Sequence, residues 1–199
     1  MKKISILCGL LFLFAFSGVA QDNSEPETII SDSAKINGFG GPLITLSSIH
    51  NTFALIMGGG GGVSINDFFI GGFGFGQTSQ IKAWDSNVLE RKLSISGGGI
   101  WLGYSILAKK KLHPSIDVLA GWGSINYYRI GSYSSVDEDN IGMFFLVPRI
   151  NIELNVTHFL RLTVGAEYRS VFLTAEGEEI SNSDFSSFGC AIGVKFGSF

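Results

Sequence analysis

The stretch Met143–Phe172, MFFLVPRINIELNVTHFLRLTVGAEYRSVF, decides the fold. Its even positions Phe144, Leu146, Pro148, Ile150, Ile152, Leu154 and Val156 are all apolar, while the odd positions include Arg149, Asn151, Glu153 and Asn155. After Thr157-His158 the alternation resumes. Leu160, Leu162, Val164, Ala166 and Tyr168 share one face, and Arg161, Thr163, Gly165, Glu167 and Arg169 share the other. A period of two over this length means β-strands with one apolar and one polar face. The short interruption makes them an antiparallel pair. Each strand exceeds the roughly five or six residues usual in a globular sheet and reaches the about 9–11 tilted residues that cross a bilayer.

Working outward, the same patterning places strands at about 36–48, 52–65, 68–78, 91–107, 114–128, 142–156, 158–173 and 185–199. Eight is the even number expected of the smallest membrane barrels. No segment beyond the N-terminal region approaches 18 uninterrupted apolar residues, so a membrane helix is not available there. A spanning structure must then be a closed barrel, because an open sheet edge in lipid leaves backbone groups unsatisfied. The connections sort by length. Asn66-Asp67, Ala108–His113 and Thr157 are short turns on one side, whereas Ser79–Glu90, Arg129–Ile141 and Thr174–Asp184 are long and polar on the other. Ile49–Asn51 is the one short turn on that side. This is the loop asymmetry of outer-membrane barrels, and the expected fold class is an all-β, eight-stranded antiparallel up-and-down transmembrane β-barrel over residues 35–199.

The N-terminus reads as an address. Lys2 and Lys3, the apolar run Ile4–Phe16 and the small residues Gly18-Val19-Ala20 form an export signal over residues 1–20, cleaved before Gln21. Residues 21–34, QDNSEPETIISDSA, are polar, acidic and aperiodic, as expected of a flexible periplasmic leader. Losing Lys2 and Lys3 leaves 12 basic and 17 acidic residues, a formal charge of −5, which argues against a nucleic-acid partner. Cys190 is the sole remaining cysteine, on an apolar strand face among Phe188, Ile192 and Val194, and reads as a small hydrophobe.

Glycines crowd the first half: Gly58–Gly62, Gly71-Gly72-Phe73-Gly74-Phe75-Gly76, Gly97–Gly99, and Gly121 and Gly123 around Trp122. A phosphate cradle is not supported, because no Lys-Ser or Lys-Thr follows and no helical pattern opens behind the run. Glycine in strands marks bends, bulges or close backbone approach, and beside Phe73, Phe75, Trp101 and Trp122 it suits a tightly curved barrel. The apolar residues of the fourth strand move from odd (Leu93, Ile95) to even (Ile100, Leu102, Tyr104, Ile106), which predicts a bulge at Gly97–Gly99.

The chain closes on Gly193-Val194-Lys195-Phe196-Gly197-Ser198-Phe199. An alternating last strand with a terminal phenylalanine resembles the assembly signal of outer-membrane barrel proteins. The chain resembles the small eight-stranded members of that class from Gram-negative bacteria, including uncharacterised glycine-rich exported ones. The resemblance implies an outer-membrane location, contact with outer-membrane lipid and lipopolysaccharide, and recognition of Phe199 by the barrel-assembly machinery. Phe199 departs from the class by falling out of phase with Phe188, Ile192, Val194 and Phe196.

From Phe53 to Gly76 only Asp67 is charged. A water-facing wall would carry charges there and a lipid-facing wall would not, so the apolar set is expected outside and the polar set inside. The lumen then holds Asp117, Arg149, Glu153, Arg161, Glu167, Arg169 and Lys195, with Asn151, Asn155 and Thr163. Arg149 or Arg161 with Glu153, and Arg169 with Glu167, are sterically possible pairs. A charge-balanced plug is the expected state of so narrow a lumen. The histidines His50, His113 and His158 are too scattered for a metal site, and no catalytic site or cofactor is indicated. The alternatives are a lipid-modifying enzyme using His50, in keeping with the acyltransferases and deacylases of the class, and a soluble lipocalin-like barrel. The latter would hold an apolar ligand against Phe73, Trp101 and Trp122. Acidic runs at Asp137–Asp139 and at Glu176, Glu178, Glu179 and Asp184 leave room for an unknown surface partner. The run Lys109–Lys111 reads as a solvated turn, and Tyr127, Tyr128 and Tyr133 as part of an interfacial girdle.

Overall fold

The computed structural model describes residues 34–49, 52–79, 81–83, 91–129, 140–174 and 181–198. The export signal, nearly all of the leader, His50, Tyr133, Phe199 and the acidic runs Asp137–Asp139 and Glu176–Glu179 lie outside the described residues. Period-two sequence becomes strand throughout: β1 (Ile36–Ile49), β2 (Thr52–Ile65), β3 (Phe68–Gln77), β4 (Ile81–Ala83), β5 (Arg91–Ser105), β6 (Leu112–Arg129), β7 (Asn140–Asn155), β8 (Leu160–Leu173) and β9 (Ser187–Gly197). Among the described residues there is a single short helix, α1 (Asn182–Phe185), before β9 at the end of the region read as the last outer connection. No described helix is long and apolar enough to cross a membrane.

All pairings are antiparallel, consecutive strands pair except β3 with β4, β3 pairs with β5, and β1 pairs with β9, so the sheet closes as an up-and-down barrel. β4 is not a ninth wall. It continues β3 along β5, because Gly76 faces Ser96 and Ile81 faces Leu93, leaving two extra residues between the two pieces. Stepping across paired residues from Asn37 leads through Ser64, Phe69, Gly103, Asp117, Arg149, Glu167 and Gly189 back to β1 at Ser47. The return is ten residues further along β1. With eight strands, that stagger and the usual strand spacings give a tilt of about 40° and a radius of roughly 8 Å.

The β5 ladder runs unbroken against β6 from Arg91 to Ser105 and against β3 from Ser96 to Tyr104, so the bulge expected at Gly97–Gly99 does not form. Leu93, Ile95 and Trp101 all point inward, while Ile100, Leu102 and Tyr104 point outward. The strand keeps its phase; what changes along it is the character of the lumen. Interruptions fall instead at prolines, which bring no N–H to a ladder. Pairing of β1 with β9 skips Gly41 and Pro42, and pairing of β7 with β8 skips Val147 and Pro148.

Side chains sort by parity. Outward positions include Ile150 (68% exposed), Trp122 (68%) and Phe188 (79%). No described outward side chain in the strands is charged. On β7 the outward apolar run from Phe144 to Leu154 covers, at this tilt, about 25 Å of barrel height, the height of the apolar band of outer-membrane barrels. Glycines let the first strands come close: a Cβ at Gly62 would strike the carbonyl oxygen of Ile70, and one at Gly99 that of Ala120.

Candidate functional site

Side chains from every wall point into the barrel, and their character changes along the axis. At the short-turn end Glu153 is the hub, with a fully buried side chain. Its Oε1 accepts from Lys195 Nζ at 2.7 Å and from Ser115 Oγ at 3.0 Å. Its Oε2 accepts from Arg161 Nη1 at 2.8 Å, lies 3.2 Å from His113 Nε2, and receives a long bond from Ser105 Oγ at 3.5 Å. Arg161 Nε also donates to Asn155 Oδ1 at 2.7 Å. These donors come from β5, β6, β8 and β9, so one carboxylate ties most of the circumference together. A buried carboxylate persists as an ion only with such compensation.

A second cluster sits higher. Asp117, Arg149 and Glu167 face one another on β6, β7 and β8. Arg149 Nε donates to Asp117 Oδ1 at 2.6 Å, and Asn151 Nδ2 donates to Asp117 Oδ2 at 2.8 Å. Glu167 Oε2 is 3.9 Å from Arg149 Nη1 and accepts from Thr45 Oγ1 at 3.4 Å. Arg149 therefore pairs with Asp117 rather than Glu153. Arg169 is bound by neutral oxygens: Nε donates to the Phe185 carbonyl at 3.0 Å, and Nη2 to Ser47 Oγ, the Ser48 carbonyl and Ser187 Oγ, each at 3.1 Å. None of the described ion pairs joins it to Glu167.

Aromatic rings occupy the opposite wall. Phe39, Phe69 and Trp101 form an edge-to-face trio with centroids 5.3–5.5 Å apart. Lys195 Nζ lies 4.3 Å from the Phe69 ring centre, and Arg149 Cζ is 5.4 Å from that of Trp101. Above them Phe73 and Phe75 pack edgewise on Phe145 at 5.9 and 5.2 Å. Ile49, Leu93, Ile125, Met143, Val171 and Phe185 complete an apolar core toward the long-connection end. The inward set is thus polar in one part and apolar in another, which corrects the expectation of a wholly polar lumen. An internal cavity of about 40 Å³ remains beside Arg149, Glu167 and Arg169. Arg149 Nη2, Trp101 Nε1 and Thr163 Oγ1 are buried without a protein partner.

His113, Ser115, Ser105, Thr45 and Ser47 belong to these clusters but were not among the residues picked from sequence. His113, read as part of a turn, is a β6 residue directed inward. Its parity, shared with Ser115 and Asp117, is the signal that could have placed it. His158 lies in the 156–159 turn beside Phe159. Trp122 points outward against Phe144, so Phe73, Trp101 and Trp122 do not line one pocket. Cys190 is also outward and exposed. No group of three metal-ligating side chains occurs among the described residues.

Neither a protein-family model nor a curated protein matches this sequence. Solved structures match by shape. Neisserial surface protein A aligns with a TM-score of 0.57 at 14% identity, over 84% of this chain and 100% of that one. The attachment invasion locus protein of Yersinia pestis aligns at 0.45 and 10% identity, over 81% and 97% of the two chains. A major outer membrane protein from Thermus thermophilus aligns at 0.44 and 10% identity, over 81% and 98%. The chain has the fold of the small outer-membrane β-barrels.

Proposed function

We propose that the protein is an integral outer-membrane barrel with a structural or surface-interaction role, a closed lumen and no catalysis. The observation that carries this reading is the lumen: the Glu153 hub, the Asp117–Arg149–Glu167 ring and the Phe73–Phe75–Phe145 layer follow one another along the axis. Asp117, Arg149, Glu153, Arg161, Glu167, Arg169 and Lys195 act in this reading as struts, holding eight strands at fixed register. An outer wall without a charged side chain among the described residues supports lipid as its solvent, with phospholipid and lipopolysaccharide as its immediate partners. Assembly would use the C-terminal strand and Phe199, and any protein partner would meet the acidic long connections. The lumen also supports the absence of catalysis, since its one described histidine, His113, is buried with its ring nitrogens against Glu153 and the Lys110 carbonyl.

The test is planar-bilayer recording on the folded protein. A closed lumen passes no steady current, and shaving the apolar layer with Phe75→Ala plus Phe145→Ala opens brief conductance events. Large steady currents from the unaltered protein would sink the plug reading and make the lumen a pore.

A further inference from the structure

The short-turn end of the barrel is hollow below Glu153. A vestibule of about 1090 Å³ opens there, bounded by the turns 66–67, 106–111 and 156–159. Its lining carries four cationic side chains, Lys35, Lys109, Arg161 and Lys195, and one carboxylate, Asp67. Counting Glu153 as well, because it binds both Arg161 and Lys195, the described residues still leave an excess of two positive charges. The two residues that make the excess are placed differently from the ceiling pair. Lys35 and Lys109 are exposed at the rim on separate elements, and the described ion pairs include neither of them. Donors that suit a polar solute stand between: Asn37, Ser64 and Thr157 are in the same lining. The volume lies just above the range of small-molecule sites, about 300–1,000 Å³, so it has room for one. A concave bowl with an excess of one sign of charge concentrates counter-ions of the other sign.

We propose that this vestibule is a binding site for a small, multiply charged oxyanion, carboxylate or phosphate, entering from the short-turn side. Lys35 and Lys109 bind it by charge from opposite parts of the rim. The site does not depend on whether the lumen conducts, because it ends at the Glu153 ceiling.

The experiment is an amide-shift titration by NMR on the full chain folded in zwitterionic micelles. The probes are citrate and pyrophosphate, with sodium chloride at matched ionic strength as control. A site gives saturable shifts at Asn37, Ser64, Asn155 and Thr157 with one or both oxyanions. Which of them saturates first tells carboxylate from phosphate. The double variant Lys35→Gln plus Lys109→Gln changes only exposed side chains, so folding should be unaffected, as its own spectrum will report. It should weaken binding about tenfold, equivalent to about 1.4 kcal/mol. Linear shifts that chloride reproduces would reduce the effect to diffuse screening and overturn the proposal. Saturable binding that ignores the double variant, or shifts confined to the far end, would overturn it as well.

Discussion

Glu153 is the side chain whose loss the barrel should tolerate least. It accepts from Lys195, Arg161 and Ser115 and lies within reach of His113, and its side chain is fully buried. Truncation strands two buried cations, and breaking a buried pair typically costs about 3–5 kcal/mol. Glu153→Ala should lower the urea midpoint of the micelle-folded protein accordingly, while Glu153→Ala with Lys195→Met should recover part of the loss. Equal midpoints for Glu153→Ala and the unaltered protein would show that the cluster contributes no stability. Glycines give a second contrast at this scale. A Cβ at Gly62 meets the Ile70 carbonyl, whereas one at Gly76 meets nothing within 4 Å. Gly76→Ala should therefore be neutral or stabilising by about 0.5–1 kcal/mol, the ordinary gain of Ala over Gly in a strand. Gly62→Ala should destabilise clearly in the same unfolding assay. Residue types and their parity were readable from sequence, so the charged set was nameable. Partners were not: Asp117 meets Arg149 only through the β6–β7 register, which pairs Leu112 with Leu154 and so on along both strands, and no local pattern encodes that offset.

Strand β7 shows why alternation fixes a face so firmly. Inward Arg149, Asn151 and Glu153 interleave with outward Ile150, Ile152 and Leu154. One residue inserted between Pro148 and Arg149 exchanges the two sets beyond that point. Arg149 and Glu153 would then face lipid, at about 2–4 kcal/mol for an arginine near the midplane, and the Glu153 hub would vanish. The expected result is loss of the compact, heat-modifiable band on cold gel electrophoresis; a band retained at full intensity would mean that register is set elsewhere. Strand positions were legible because period two persists in nearly every element, and the observed bounds of β2 and β3 fall within a residue of those read from sequence. The misreading at Gly97–Gly99 has a physical source. Alternation assumes that one face keeps one character, but the lumen passes from the Glu153 cluster to the Phe145 layer, so inward residues turn apolar without any slip of register. The continuation of β3 into β4 was hidden for another reason, since three residues are too few to display a period.

At the scale of the molecule, the question is which solvent the outer wall meets. Eight strands returning to β1 ten residues on make a barrel of roughly 8 Å radius, whose inward face carries its own buried side chains, Phe145, Arg149 and Glu153 among them. The outward rows, with Phe188, Trp122 and Ile150 exposed, therefore have to be covered by something other than protein core. Cys190 reports on that cover directly. It is outward, free and paired across to Leu46 and Ala166 within the wall, and the only other cysteine, Cys8, lies in the N-terminal run read as an export signal. A charged maleimide, which stays in water and reacts through the thiolate, should leave Cys190 unmodified in protein folded into vesicles and label it fully after unfolding in denaturant. Mass spectrometry reads both states. Moving the thiol to a water-exposed turn, with Cys190→Ala and Lys110→Cys, should restore rapid labelling at the folded stage and so exclude a general failure of the reagent. Rapid labelling of Cys190 in the folded protein would place water against the wall in its long-connection half. The apolar rows would then need a protein partner to cover them, and the membrane-spanning reading would fall.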